Sequence, residues 1–370
     1  MTRLMDAFPP APEAQVTLAN WRTAPYNRWA FHHVRELIPT AEIAHDPAHV
    51  LPLPAAPAPL FDEGFLANTD TDGIVVVHRG RLVFERYFNG MRAESPHILM
   101  SVSKSLLGLV AGRLPLDVER PVTALIPELA GTAYRGATIR HLLDMRAGVA
   151  FAEDYLATSG PMLEYRKATA WNPSEGASDL RSFYRHLTQP DGAHGGRFHY
   201  VSPNTDLLGW VIERATGQRF ADLAAELLWK PIGAEWSGYI TLDRLGAPRC
   251  AGGVCVTVRD LARVGLWICR RDDPWLDDLE GGGDPQAWDA GSFVPYYPGL
   301  AMHYRSQWYT LRGPRPLLFG MGIHGQNLFV DRRNDLVIAK VSSQAQPLDA
   351  GRMALTMGTV AEVRQELAPA

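Results

Sequence analysis

The stretch MSVSKSLL, residues 100–107, sets three serines around one lysine at the head of an apolar run. Residues three apart share one face of a helix and their side chains meet, whereas immediate neighbours diverge. That geometry selects Ser101 over Ser103 and Ser105 as the partner of Lys104. A serine hydroxyl is a weak nucleophile and needs a base, and a lysine serves only if part of it is neutral at working pH. Burial supplies that condition, because desolvation disfavours the ammonium, and Leu106, Leu107 and Leu109 indicate a buried setting. The Ser101 N–H, at the helix start, has no acceptor within the helix and is available to a developing oxyanion. The same spacing also suits an N-capping serine beside a solvated lysine. Context favours chemistry: lysine occurs only at positions 104, 167, 230 and 340, and Lys104 alone has a serine three residues before it.

A serine–lysine pair needs a third group to hand the proton to the leaving atom. A tyrosine is suitable if a nearby ammonium stabilises its phenolate. FHYVSPNTDLLGWVIERATG, residues 198–217, offers Tyr200 in the turn before a well-marked helix, with Pro203 near its first position and Gly217 past its end. The alternative for Tyr200 is a buried structural tyrosine.

The surrounding elements follow from periodicity and punctuation. GIVVVHRGRLVFERYF (73–88) alternates and branches like two strands joined at Arg79-Gly80. SLLGLVAG reads as a short buried helix ended by Gly112 and Pro115. IRHLLDMR, ASDLRSFYRHL, NTDLLGWVIERATG and FADLAAELLWKPI make the middle of the chain, about Pro121 to Leu245, mostly helical. VRDLARVGLWICRR is a further amphipathic helix. PLLFGMGIHGQNLFVDRRNDLVIAKVSS then gives strands joined across the charged turn Asp331–Asp335. The expected fold is therefore α+β: an antiparallel sheet covered by helices, built from 1–115 and 250–370, with an inserted helical domain over 116–249.

Composition narrows the function classes. The chain has 370 residues, is 46% hydrophobic and 21% charged, and carries a net charge of -4. Such a balance gives no electrostatic reason to expect nucleic acid or an anionic membrane as partner. A small-molecule substrate is expected instead. Cys250, Cys255 and Cys269 are odd in number and lack CxxC spacing, so they read as reduced thiols. The N-terminus, MTRLMDAFPPAPEAQV, lacks an apolar signal core, and the expected location is cytoplasmic. Twelve histidines raise the question of a metal, but no HExxH spacing occurs and His32-His33 are adjacent. Neither a metal nor a cofactor is expected.

The pieces PYNRWAFHHVRELIP, LMSVSKSLLG, PVTALIPELAG, EDY, FHYVSPNTDLLGWVIERATG, GGVCVTVRDLARVG and GIHGQNLFVD run in order from about Trp21 to Ser343. Together they resemble the serine hydrolases of the class C β-lactamase and penicillin-recognising family, and within it the 6-aminohexanoate-dimer (nylon oligomer) hydrolases. The resemblance implies a β-lactamase/transpeptidase-like fold and hydrolysis of small amides or esters through an acyl-enzyme. It makes Ser101 the nucleophile, Lys104 its base and Tyr200 the proton relay, with the backbone N–H groups of Ser101 and Ile323 as the oxyanion hole. Tyr155 matches a tyrosine that closes over substrate, and Trp171 a tryptophan lining the pocket.

Two departures bear on substrate. Arg166 stands where dimer hydrolases carry an acidic residue for the substrate ammonium, which arginine would repel; nearby Glu164 is the expected compensation. GMGIHGQ replaces the Lys-Thr-Gly strand of β-lactamases and offers no ammonium to a substrate carboxylate, so strong β-lactamase activity is not expected and carboxylesterase activity is. His324 in that segment is open between orienting the oxyanion strand, touching substrate and a structural place. Other readings within the resemblance are a carboxylesterase, a D-amino-acid amidase or peptidase, and a ligand-binding relative that does not turn over.

Overall fold

The structure is a computed structural model that describes residues 4–176 and 178–369. Met1–Arg3 of the N-terminal reading and Ala177 of ASDLRSFYRHL lie outside the described residues. The described residues form eleven strands in chain order: β1 (Thr40–Ile43), β2 (Thr71–His78), β3 (Arg81–Tyr87), β4 (His97–Ile98), β5 (Gly238–Thr241), β6 (Val254–Val256), β7 (Met302–Arg305), β8 (Trp308–Leu311), β9 (Leu317–Gly322), β10 (Gln326–Asp331) and β11 (Leu336–Ser342). The helices that matter to the site are α1 (Val102–Ala111), α2 (Pro161–Ala168), α3 (Ser202–Thr216), α4 (Val258–Cys269) and α5 (Ala350–Leu367).

The main sheet has seven antiparallel strands in the order β3-β2-β11-β10-β9-β8-β7. Arg79 and Gly80 both adopt left-handed φ, 50° and 73°, the tight turn that matches the twist of the strands they join. Strands β2 and β11 are central and almost wholly buried, and alternation divides their side chains between two layers. Val75, Val77, Val337 and Ala339 pack with α1 and α4, while Ile74, Val76, Leu336 and Ile338 pack with Val360 and Val363 of α5. The helix-covered antiparallel sheet expected from sequence is thus present, and the fold is α+β.

Two features go beyond that expectation. Strand β5 interrupts the stretch read as helical and pairs with β1 and β6, while β4 completes this second sheet, in the order β1-β5-β6-β4. Its strands are two to four residues long, too short to show a period of two. Helix α5 was also not read, because its charged and apolar residues are spread round the helix and only Thr356, Val360, Val363 and Arg364 are buried.

Helix α1 carries the serine and lysine, and every one of its ten residues is buried. Its close approach to the β7–β8 turn depends on Gly108: a Cβ there would stand 2.2 Å from the Ser306 carbonyl oxygen. Alanine would gain about 1 kcal/mol of helix propensity but force the helix off that turn, an overpacking cost of about 1–3 kcal/mol. Gly108→Ala is therefore expected to lower Tm by a few degrees in a thermal melt; an unchanged or raised Tm would show that the contact can relax.

Candidate active site

Ser101 caps α1 immediately after Met100, whose φ of 44° is a left-handed conformation a side-chain-bearing residue rarely holds. The turn is held from behind. Trp171 packs over the Gly252 backbone, donates Nε1–H to Thr241 Oγ1 at 3.1 Å and shares an apolar cluster with Met100. This sharp entry puts the Ser101 hydroxyl at the floor of a cleft and Lys104 one helical turn below it.

Lys104 Nζ lies 2.9 Å from Ser101 Oγ and donates to the Ala251 carbonyl at 2.7 Å. The side chain is 1% exposed, and burial pulls its pKa down to about 7 against the opposing pull of Glu153 and Asp206. Near neutrality a large fraction is therefore free amine within reach of the serine proton. The Ala251 carbonyl is itself fixed. Its N–H donates to Asp206 Oδ1 at 2.7 Å, and Asp206 is ion-paired with buried Arg249 and accepts from the Tyr165 hydroxyl. Asp206 lies on α3, the helix that Tyr200 precedes.

Tyr200 presents its ring to the lysine, with Nζ 4.8 Å from the ring centroid, and its hydroxyl faces Ser101. Burial pushes its pKa up, with Ser101 opposing. The sequence reading invoked a phenolate stabilised by a nearby ammonium. Burial instead favours the neutral form of both groups, and a Tyr200 that keeps its proton suits a donor to the leaving atom. Phe293 stacks on Tyr200 at 4.9 Å.

The cleft above Ser101 is partly open to solvent and, with its mouth counted, spans about 700 Å³ of empty space. Tyr155, Tyr200, Phe293, Tyr297, Tyr309 and Met321 give it apolar walls, and Asn327, Gln344 and Arg352 line its polar edge. Among the lining residues Arg352 is the only cation, and it is ion-paired with Asp70. Gly322 at the end of β9 abuts the nucleophile: a Cβ there would meet the Leu99 carbonyl oxygen at 2.7 Å and Ser101 N at 2.9 Å. Ile323 follows at the cleft, so the oxyanion pair expected from sequence is brought to one place.

The structure does not bring every expected residue to the cleft. Arg166 is not among the lining residues: Nη1 donates to the Tyr155 carbonyl at 3.1 Å and Nη2 to the Ala157 carbonyl, so both terminal nitrogens are held by the loop that carries Tyr155. The expected repulsion of a substrate ammonium is replaced by a bracing contact. Glu164 is half-exposed and pairs with Lys167 at 2.9 Å one turn along α2, and it is not among the residues lining the cleft. Trp171 is 4% exposed and stands behind the Met100 turn rather than in the wall. His324, at φ 62°, places Nδ1 2.7 Å from the Gln344 carbonyl and packs edge-on to Phe31. Burial lowers its pKa to about 4, so it is a neutral ring donating to that carbonyl. Its place is the support of the oxyanion segment. Sequence reasoning missed Glu153, Arg249 and Asp206; the only local signal was the pair of acids in EDY.

Residues 63–360 match the family described as Beta-lactamase. The chain belongs to this family. It is 35% identical over 384 residues to the 6-aminohexanoate-dimer hydrolase of Paenarthrobacter ureafaciens, covering 97% of this chain and 96% of that one. It is 27% identical over 207 residues to Esterase EstB of Burkholderia gladioli, half of each chain. A solved structure from Bacillus anthracis assigned the dimer-hydrolase name superposes with a TM-score of 0.84 at 24% identity, covering 97% and 98% of the two chains. The β-lactamase/transpeptidase-like architecture read from sequence is thereby the observed one.

Two outcomes follow for this family member. With the free amine of Lys104 acting as base, kcat/KM for an ester should rise tenfold per pH unit below about 7 and level above it. A profile flat from pH 5.5 to 8.5 would count against the lysine. Arg166→Met removes two charge-assisted bonds to the Tyr155 loop and should raise KM at least about tenfold with a smaller change in kcat. An unchanged KM would mean the loop needs no brace.

Proposed function

We propose that the protein is a serine hydrolase that cleaves small linear amides of the 6-aminohexanoate-dimer type through an acyl-enzyme, with carboxylesterase activity at the same site. The observation that carries this reading is the 2.9 Å contact of Ser101 with a wholly buried Lys104 at the floor of an apolar cleft. The family and the dimer hydrolase's 35% identity over nearly the full length of both chains support it.

In the reaction, Lys104 takes the Ser101 proton as Oγ bonds to the carbonyl carbon, and the carbonyl π pair moves to oxygen. The Ser101 and Ile323 N–H groups receive that oxyanion. As the oxyanion collapses, Tyr200 gives its proton to the leaving nitrogen or oxygen and regains one from the Lys104 ammonium. Water then repeats the sequence on the acyl-enzyme. Esters need no proton on so basic a leaving atom, which is why they should turn over even where amides are slow. The second reading, a carboxylesterase with another natural substrate, is favoured by one feature: the cleft lacks an unpaired cation for the dimer's carboxylate, since Arg352 faces Asp70. No helix of the described residues is long and apolar enough to cross a membrane. A cytoplasmic location is part of the proposal, supported by three cysteines that stand as free thiols.

Hydrolysis of the linear 6-aminohexanoate dimer and of p-nitrophenyl acetate, measured side by side in wild type and Ser101→Ala, tests the proposal. Turnover of both, reduced at least about a thousandfold in the variant, is expected. Ester turnover alone would favour the second reading, and turnover surviving in Ser101→Ala would refute both.

A further inference from the structure

Glu153 belongs to none of the roles assigned above, yet it stands against all of them. Its Oε1 accepts the Ser202 N–H, two residues beyond Tyr200, and it precedes Tyr155 by two residues on the loop that forms the opposite wall. Its Oε2 is sealed from solvent, and the Tyr155 hydroxyl faces the carboxylate. Lys104, Tyr155, Tyr200, His199 and Arg249 all feel its charge.

The charges facing Lys104 can be sorted. Asp206 on α3 is matched by Arg249 from the segment before β6, with Tyr165 of α2 and the Ala251 N–H completing its bonds. Tyr200 and Ser101 face the lysine as neutral groups. Glu153 makes no salt bridge among the described residues, and Arg249, which also feels its charge, is already paired with Asp206. A buried ammonium formed when Lys104 takes the serine proton would otherwise rest on the Ala251 carbonyl and an aspartate already shared with Arg249.

We propose that Glu153 is a positioning residue of the reaction: its carboxylate, fixed by the Ser202 N–H, is the counter-charge against which Lys104 passes between amine and ammonium, and it ties the Tyr155 loop to the segment that carries Tyr200. This rests on the acyl-transfer reading of Ser101 and Lys104. The carboxylate neither gives nor takes a proton in the cycle. It lowers the free energy of the state in which the proton has left Ser101 and resides on the lysine.

The sign of the effect is fixed. Glu153 favours the ammonium and so raises the lysine's pKa; removing its charge lets that pKa fall further. In Glu153→Gln, the acid limb of kcat/KM for p-nitrophenyl acetate should move down by about one pH unit, and the plateau kcat should fall about tenfold because the transferred proton is less well held. Glu153→Asp keeps the charge but withdraws the oxygen from Ser202. It should leave the midpoint within about 0.3 units while lowering kcat.

A Glu153→Gln profile that overlays wild type would overturn the proposal, as would an aspartate variant shifted as far as the glutamine one. If Glu153→Gln does not fold, the aspartate variant carries the test alone: a midpoint held with reduced kcat supports the counter-charge, and a midpoint moved by a unit refutes it. Ser101→Ala, assayed in parallel, separates the two layers. Turnover surviving there removes the parent reading, whereas Ser101-dependent turnover with an unmoved Glu153→Gln profile removes only this one.

Discussion

Keeping the Lys104 amine out of water is the constraint on which the rest of the structure depends. An ammonium in solution holds its proton to well above pH 10 and is useless as a base near neutrality. Here the side chain is 1% exposed, and the fold achieves that by making α1 a fully buried helix. The main sheet covers one side of it, α3 and the helices around it cover another, and Gly108 lets it settle against the β7–β8 turn. A buried amine must still be hydrogen-bonded. The Ala251 carbonyl meets that need, and the Asp206–Arg249 pair holds the carbonyl in place.

The same logic explains residues whose types suggest chemistry but whose contacts are with backbone. Arg166 holds the carbonyls of the Tyr155 loop, His324 holds the Gln344 carbonyl, and Gln326 donates to the Ser342 carbonyl at 2.7 Å. Loops that line a cleft leave main-chain oxygens without sheet or helix partners, and buried ones must be paired by side chains. The cleft walls are irregular segments made rigid in this way. Tyr155, Tyr200 and Ile323 can then be held at one place from three distant parts of the chain.

Much of the catalytic core was legible from residues 100–107 and 198–217 because both are local. A three-residue spacing on a helix, and a tyrosine entering a capped helix, carry their geometry with them. What misled was equally local. Arg166 and Glu164 were judged by charge and distance along the chain to Trp171, but on α2 neither side chain lines the cleft, one bonding the Tyr155 loop and one reaching solvent beside Lys167. Trp171 is close in space to the nucleophile yet on the far side of the Met100 turn.

By itself, the sequence determined the pairing of Ser101 with Lys104 on one helical face, the first hairpin, the capped helix after Tyr200 and the antiparallel helix-covered class, since each rests on spacing, turn residues or periodicity within about twenty positions. Only the tertiary structure decided what surrounds the lysine. Desolvation, the Ala251 carbonyl, the Asp206–Arg249 pair and Glu153 come from segments 49 to 147 residues away from Lys104 or from one another's partners. A pKa is set by every charge and dipole within several ångströms, and no pattern along one stretch of chain records which those will be.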